Sequence, residues 1–192
     1  MDSHDCSMIR RLGKYEISMA IDVFAEAIPR HWPNTVAEAR KWVHREFRHP
    51  DAVVIGHFDG NLLDAVVCLV PFQVVLLRLP AREQDVIKDA LSKVSSAVDI
   101  QHVVHVGGLA VSEEAAHKGL GARLFNLAGC EAQERRYTLQ VGHIARQSRK
   151  YPSLHVLTSI VKRQRWRELP VAEKVFYPKP ADLEKVWCFK TC

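Results

Sequence analysis

A chain of 192 residues, 47% hydrophobic and 26% charged, has the apolar content for one full core and reads as a single globular domain over 1–192. It contains no run of about 18 apolar residues, which excludes a helical membrane span, and its first residues lack the apolar stretch of a secretory leader, so a cytoplasmic location is expected. The formal net charge of +5 favours anionic ligands, and five cysteines without a CxxC pair argue against a disulfide framework or a zinc ribbon.

The first periodic segment is ISMAIDVFAEAI, 17–28. Ile17, Ala20, Ile21, Phe24, Ala25 and Ile28 share one face, which predicts a helix ended by Pro29 and Pro33. TVAE then places Thr35 and Glu38 at capping-box spacing and predicts a second helix. Its apolar side is Val36, Val43 and Phe47, with Trp42 beside them, and Pro50 closes it. AVVIGHF and LLDAVVCLV flank Asp59-Gly60-Asn61 and predict a hairpin, whose second strand is expected to run on through FQVVLLRL, 72–79. Ile87, Ala90, Leu91, Val94 and Val98 mark a third helix over 81–98. HVVHVGGLAV, 102–111, is almost continuously apolar and reads as a central strand. Leu120, Leu124, Leu127 and Ala128 mark a helix over 119–135. YTLQVGHI, 137–144, alternates as a strand, with Tyr137, Leu139 and Val141 on one face. ARQSRKY, 145–151, predicts a short polar helix and LHVLTSIV, 154–161, a strand. KVFYP and KVWCF supply one or two more. Cys68 and Cys130 stand in apolar runs and read as core fillers, Cys192 as an exposed terminal thiol. This order predicts an α+β fold around a mixed sheet.

The junction LAVSEEAAHKGLGARLF, 109–125, carries the chemistry. It lacks the GxxxxGK pattern of a nucleotide-triphosphate loop. It also lacks the third glycine of a dinucleotide fingerprint, because position 124 is Leu. What remains is strand, polar loop, KGLG, helix. Backbone N–H groups at the start of that helix, with the helix dipole, favour an anion, and Lys118 and Arg123 add positive charge. Gly119 and Gly121 allow a pyrophosphate to approach the backbone.

On these residues the chain resembles the GNAT superfamily of acetyl-CoA-dependent N-acetyltransferases. Their motif is an Arg or Gln followed by xxGxG or xxGxA, after a strand that ends in an LAV-like run. Here the run is Leu109 to Val111 and the motif AHKGLG, with Ala116 at the Arg or Gln position. Two N-terminal helices, the FDGN hairpin and a later RKYPSLHV, similar to the family's YxxxGF signature, fall in family order. The resemblance spans about residues 8–161, with the helix over 81–98 as an insertion. It implies an α/β/α arrangement around a mixed, mostly antiparallel sheet of six to seven strands.

The resemblance also implies acetyl-CoA as acyl donor and an amine, small molecule or protein, as acceptor. Leu109, Ala110, Val111, His117, Lys118, Gly119, Leu120, Gly121 and Ala122 would hold the coenzyme. Tyr151 would protonate the leaving thiolate. His105 stands where some members carry a Glu, and a base that titrates near neutrality suits the amine proton; Glu113 and Glu114 are the alternatives. The acceptor would enter between the first two helices and the C-terminal strands, near Trp32, Trp42, Trp166 and Tyr177. No metal site is expected, since His102 and His105 are three apart on a strand and face opposite sides. A monomer or homodimer is expected. The other reading is a GNAT-like module without catalysis that binds a protein or nucleic acid through its basic residues, among them Arg135, Arg136, Arg146, Arg149, Lys150 and 162–167.

Overall fold

The computed structural model describes residues 9–28, 35–94, 98–116, 118–145, 162–176 and 183–192. Among these residues the elements are β1 (Ile9–Arg11), α1 (Ile17–Ala27), α2 (Val36–Phe47), β2 (Val53–Asp59), β3 (Leu62–Pro71), α3 (Phe72–Leu76), α4 (Ala81–Val94), β4 (Val103–Val111), α5 (Leu120–Glu134), β5 (Leu139–Ala145), β6 (Arg167–Glu168), β7 (Val175–Phe176) and β8 (Glu184–Thr191). The strands follow the order β1-β2-β3-β4-β5-β8-β6, with β7 also on β8. β4 and β5 are parallel, and the β1/β2, β2/β3, β5/β8, β6/β8 and β7/β8 pairs are antiparallel. The expected α+β class with a mixed sheet is therefore present. Among the described residues the sheet has eight strands rather than six to seven, because β1 and β6, with three and two residues, are too short to show a period. The segments 146–151 and 154–161, Trp32 and Tyr177 lie outside the described residues.

The chain divides into two compact units that interleave in sequence: Met1–Val70 with Val106–Glu131, and Pro71–His105 with Ala132–Cys192. In the first, the Thr35 hydroxyl accepts from Glu38 N and the Glu38 carboxylate from Thr35 N, so the predicted capping box opens α2. Ile17, Ala20, Ile21 and Phe24 of α1 pack with Val43 and Phe47 of α2 on Val54, Leu63, Val66, Cys68 and Ala110 of the strands. Val36 and Trp42 depart from the predicted apolar face, being 42% and 40% exposed. Val36 is the first residue of α2, at its open end, and Trp42 sits at the margin, its ring edge on Phe24 at 5.8 Å. β2 and β3 turn back through Gly60–Asn61, with Gly60 at φ +61 as in a type II′ turn.

In the second unit, the expected strand through 72–79 is replaced by α3. Phe72, Val75 and Leu76 are its buried residues, at i, i+3 and i+4, so burial of one helical face overrides the strand propensity of the valines. α4 follows and buries Glu83, Ile87, Ala90 and Leu91. Tyr137 precedes β5 rather than joining it. β5 pairs with β8 along its whole length, from Leu139↔Thr191 to Ala145↔Lys185. Cys68 and Cys188 are buried, whereas Cys130 is exposed and Cys192 only half-buried. The buried stripe of α5 runs through Leu124 and Ala128 to Ala132, which points Cys130 away from the core. Gln140 Nε2 reaches the Cys192 sulfur at 3.5 Å.

Candidate functional site

β4 is where local sequence and site geometry meet. Its parallel ladder with β5 covers Val103 to His105, and it runs on for six more residues to Val111. Gly108, in that second part, has φ +59. A Cβ there would stand 2.4 Å from Phe47 Cε1 and 2.8 Å from Cζ, so both the backbone conformation and the close approach of α2 require glycine. The resulting irregularity leaves Gly107, Gly108 and Leu109 all half-buried, breaking the alternation of β4, before Ala110 is buried again.

Beyond Val111, Ser112 N donates to Asp64 O at 2.7 Å. The Ser112 hydroxyl accepts from Ala115 N, and Ala116 N donates to Glu113 O, which winds SEEAA into a tight turn. Asp64 is itself fixed: its Oδ1 lies 2.6 Å from His57 Nδ1, with both side chains buried. Lys118 is exposed. Gly119 has φ +75, and among the described residues a Cβ there would meet nothing within 4 Å. Arg123 N donates to Gly119 O, the first bond of α5. Leu120 and Gly121 therefore lie in the first turn, where an N–H has no intrahelical acceptor. Leu120, Leu124 and Ala128 bury one side of α5 and fix the direction of its first turn.

Of the sequence-predicted residues, Leu109, Ala110, Val111, Lys118, Gly119, Leu120, Gly121 and Ala122 thus fall on one stretch of the first unit, from the end of β4 into α5. His117 and Tyr151 lie outside the described residues. The same unit holds an open depression of about 390 Å³, walled by Met19, Val23 and Leu62 and carrying the carboxylates of Asp22, Glu26 and Glu114. Asp22 is paired with Arg40 at 2.9 Å. Among the described residues, no group of three or more His, Cys, Asp or Glu could hold a metal ion. Among the described residues, no helix is long and apolar enough to cross a membrane.

His105 belongs to the second unit and is only 2% exposed. Its Nε2 lies 3.3 Å from Nδ1 of His143 on β5. Burial, and then the charges of Arg78 and Lys185, push the His105 pKa down to about 4. Burial, followed by His105 and Lys185, holds His143 well below the usual imidazole range. Beside them, Lys185 Nζ and Trp187 Nε1 both donate to Glu83 Oε1, at 2.9 and 3.1 Å, with all three side chains buried. Sequence reasoning placed Leu139 and Val141 on one strand face but did not carry the alternation two residues further, to His143. The Glu83–Lys185 pair spans 102 residues of sequence and leaves no local pattern.

No family model matches the chain, and no curated protein matches it. Solved structures do. A ribosomal-protein-alanine N-acetyltransferase from Brucella melitensis aligns with a TM-score of 0.64 at 14% identity, over 96% of this chain and 99% of that one. A GNAT-family acetyltransferase from Desulfovibrio desulfuricans gives 0.62 at 13%, over 95% and 97%. An aminoglycoside 6'-N-acetyltransferase complexed with coenzyme A gives 0.61 at 10%, over 95% and 96%. At 10–14% identity these likenesses speak for the fold: the chain carries the fold of the GNAT-family acetyltransferases.

Proposed function

We infer that the chain is an acyl-CoA-dependent N-acyltransferase, which moves an acetyl or other short acyl group from coenzyme A to a primary amine by direct attack on the thioester. The observation that carries this reading is the stretch from Val106 to Ala122. There a strand extends past its ladder with β5 and leads into a glycine-opened helix start beside Lys118 and Arg123.

Each part has a task. Backbone N–H and C=O groups at Leu109 to Val111 suit an amide-bearing arm such as pantetheine, which pairs as an added strand. The first turn of α5 suits the pyrophosphate: N–H groups at Leu120 and Gly121, the helix dipole and the two cations act together. With Ala116 at the motif's first position, that task is assigned to the backbone and to His117 or Lys118. Tyr151 is assigned to protonate the leaving thiolate, since a phenol with a pKa near 10 is neutral and able to donate at pH 7. The amine proton is assigned to the strand face that carries His105.

The test is thiol release from acetyl-CoA across a panel of primary amines. Amine-dependent release is expected, and Tyr151→Phe is expected to slow it about a hundredfold while coenzyme A binding persists, the scale of one lost acid catalyst. Equal release by that variant removes Tyr151 from the mechanism.

A further inference from the structure

Resting on that reading, we propose that Asp64, locked by His57, is a positioning residue for the coenzyme stretch: its backbone carbonyl holds the turn that follows β4. The placement comes from a change of register. β2 and β3 pair His57 with Ala65 and then Phe58 with Leu63, which leaves Asp64 as the extra residue of a β-bulge. In an unbroken strand Asp64 would share a face with Val66 and Cys68. Those two lie in the apolar cluster with Ile21, Phe24 and Phe47, where a carboxylate would lose its water. The bulge sends Leu63 into that cluster instead, and Leu63 Cδ1 comes within 2.5 Å of where a Cβ on Gly56 would stand. Asp64 turns to the other face, the one that His57 occupies next to Gly56 on β2.

There the Asp64 carboxylate accepts from His57 Nδ1 at 2.6 Å, with both side chains buried. A carboxylate has no hydrogen to give, so the Nδ1–H of His57 is the donor. Two buried polar groups that satisfy each other resist separation, because each would lose a partner that water does not replace. The bulge is therefore held in one conformation, and with it the direction of the Asp64 carbonyl. That carbonyl accepts from Ser112 N at 2.7 Å, directly after the end of β4. The Ser112 hydroxyl in turn accepts from Ala115 N, and Ala116 N donates to Glu113 O. A side-chain pair on the hairpin thus anchors the first residue of the turn that leads towards Lys118 and Gly119. All of these residues belong to the first unit.

Backbone donors cannot reach for an anion singly, as a long side chain can; they gather one only when the chain around them is already set. With Ala116 where the motif carries Arg or Gln, that prearrangement matters more here. A freed turn that holds the binding arrangement about a tenth of the time weakens affinity about tenfold.

The experiment titrates coenzyme A into the wild type, Asp64→Ala, His57→Phe, Asp64→Asn and Val53→Ala, and follows amide hydrogen exchange at Ser112 in each. The wild-type Ser112 amide should be protected. Asp64→Ala and His57→Phe each remove one partner of the lock, and both are expected to weaken coenzyme A about tenfold and to speed Ser112 exchange. Asp64→Asn keeps an oxygen that accepts from Nδ1–H, and its affinity should stay within about twofold of wild type. Val53→Ala trims a buried side chain at the far end of the hairpin, opposite Leu69, so it should destabilise and leave the affinity unchanged. An unprotected Ser112 amide in the wild type, unchanged affinity in Asp64→Ala and His57→Phe, a loss in Asp64→Asn as large as in Asp64→Ala, or an equal loss in Val53→Ala overturns the positioning role. Absence of coenzyme A binding by the wild type overturns the acyltransferase reading beneath it, even with Ser112 protected.

Discussion

Replacing Glu83 with alanine should lower the unfolding free energy by about 3–5 kcal/mol, the range for removing one partner of a buried ion pair. One carboxylate oxygen, Glu83 Oε1, accepts from both Lys185 Nζ and Trp187 Nε1, and Glu83 and Lys185 are 8% and 9% exposed. The variant leaves the ammonium buried without that carboxylate and takes an acceptor from the indole. Glu83→Gln keeps an acceptor for the indole and should cost less. The neighbouring pair of Arg82 and Glu173 is solvent-exposed, and Arg82→Ala should cost under about 1 kcal/mol. Urea unfolding of the three variants checks this ranking. Equal losses in Glu83→Ala and Arg82→Ala would mean that the buried pair is not formed.

Gly108→Val should destabilise by about 2–5 kcal/mol, combining a β-branched residue forced to positive φ with overpacking against Phe47. The ring it meets has little freedom to move: Phe47 is buried and packs edge-on against Phe24 at 6.0 Å. Gly60→Ala is the control. That residue has φ +61 but open space where the Cβ would stand, so it isolates the conformational cost at about 1–2 kcal/mol. Unfolding midpoints decide the matter. A Gly108→Val loss no larger than that of Gly60→Ala would show that Phe47 does not press on β4.

Where local chemistry decides structure, the sequence was readable. The Thr35–Glu38 spacing produced the cap, the Asp59-Gly60-Asn61 run the hairpin, and the apolar run into KGLG the strand and helix that frame the coenzyme reading. Reading failed where packing decides. FQVVL has strand-like valines and a helical burial pattern, and the helix prevails because Phe72, Val75 and Leu76 bury together. Cys130 was misread because apolar neighbours do not reveal helix phase. Glu83 and Lys185 resemble solvated charges until α4 meets β8, and His57 with Asp64 forms a pair only through the β2–β3 register.

The central claim is that the start of α5, opened by KGLG, receives the coenzyme's pyrophosphate. Calorimetric titration of coenzyme A into the wild-type protein and Gly121→Asp tests it directly. The variant places a carboxylate in the first turn of α5, where the anion is proposed to sit. The account predicts one saturable site in the wild type and at least about a tenfold weaker affinity in Gly121→Asp, with its fold retained by circular dichroism, since a lost anion contact of about 1.4 kcal/mol is a factor of ten. No binding by the wild type, or equal affinity in the variant, would contradict it.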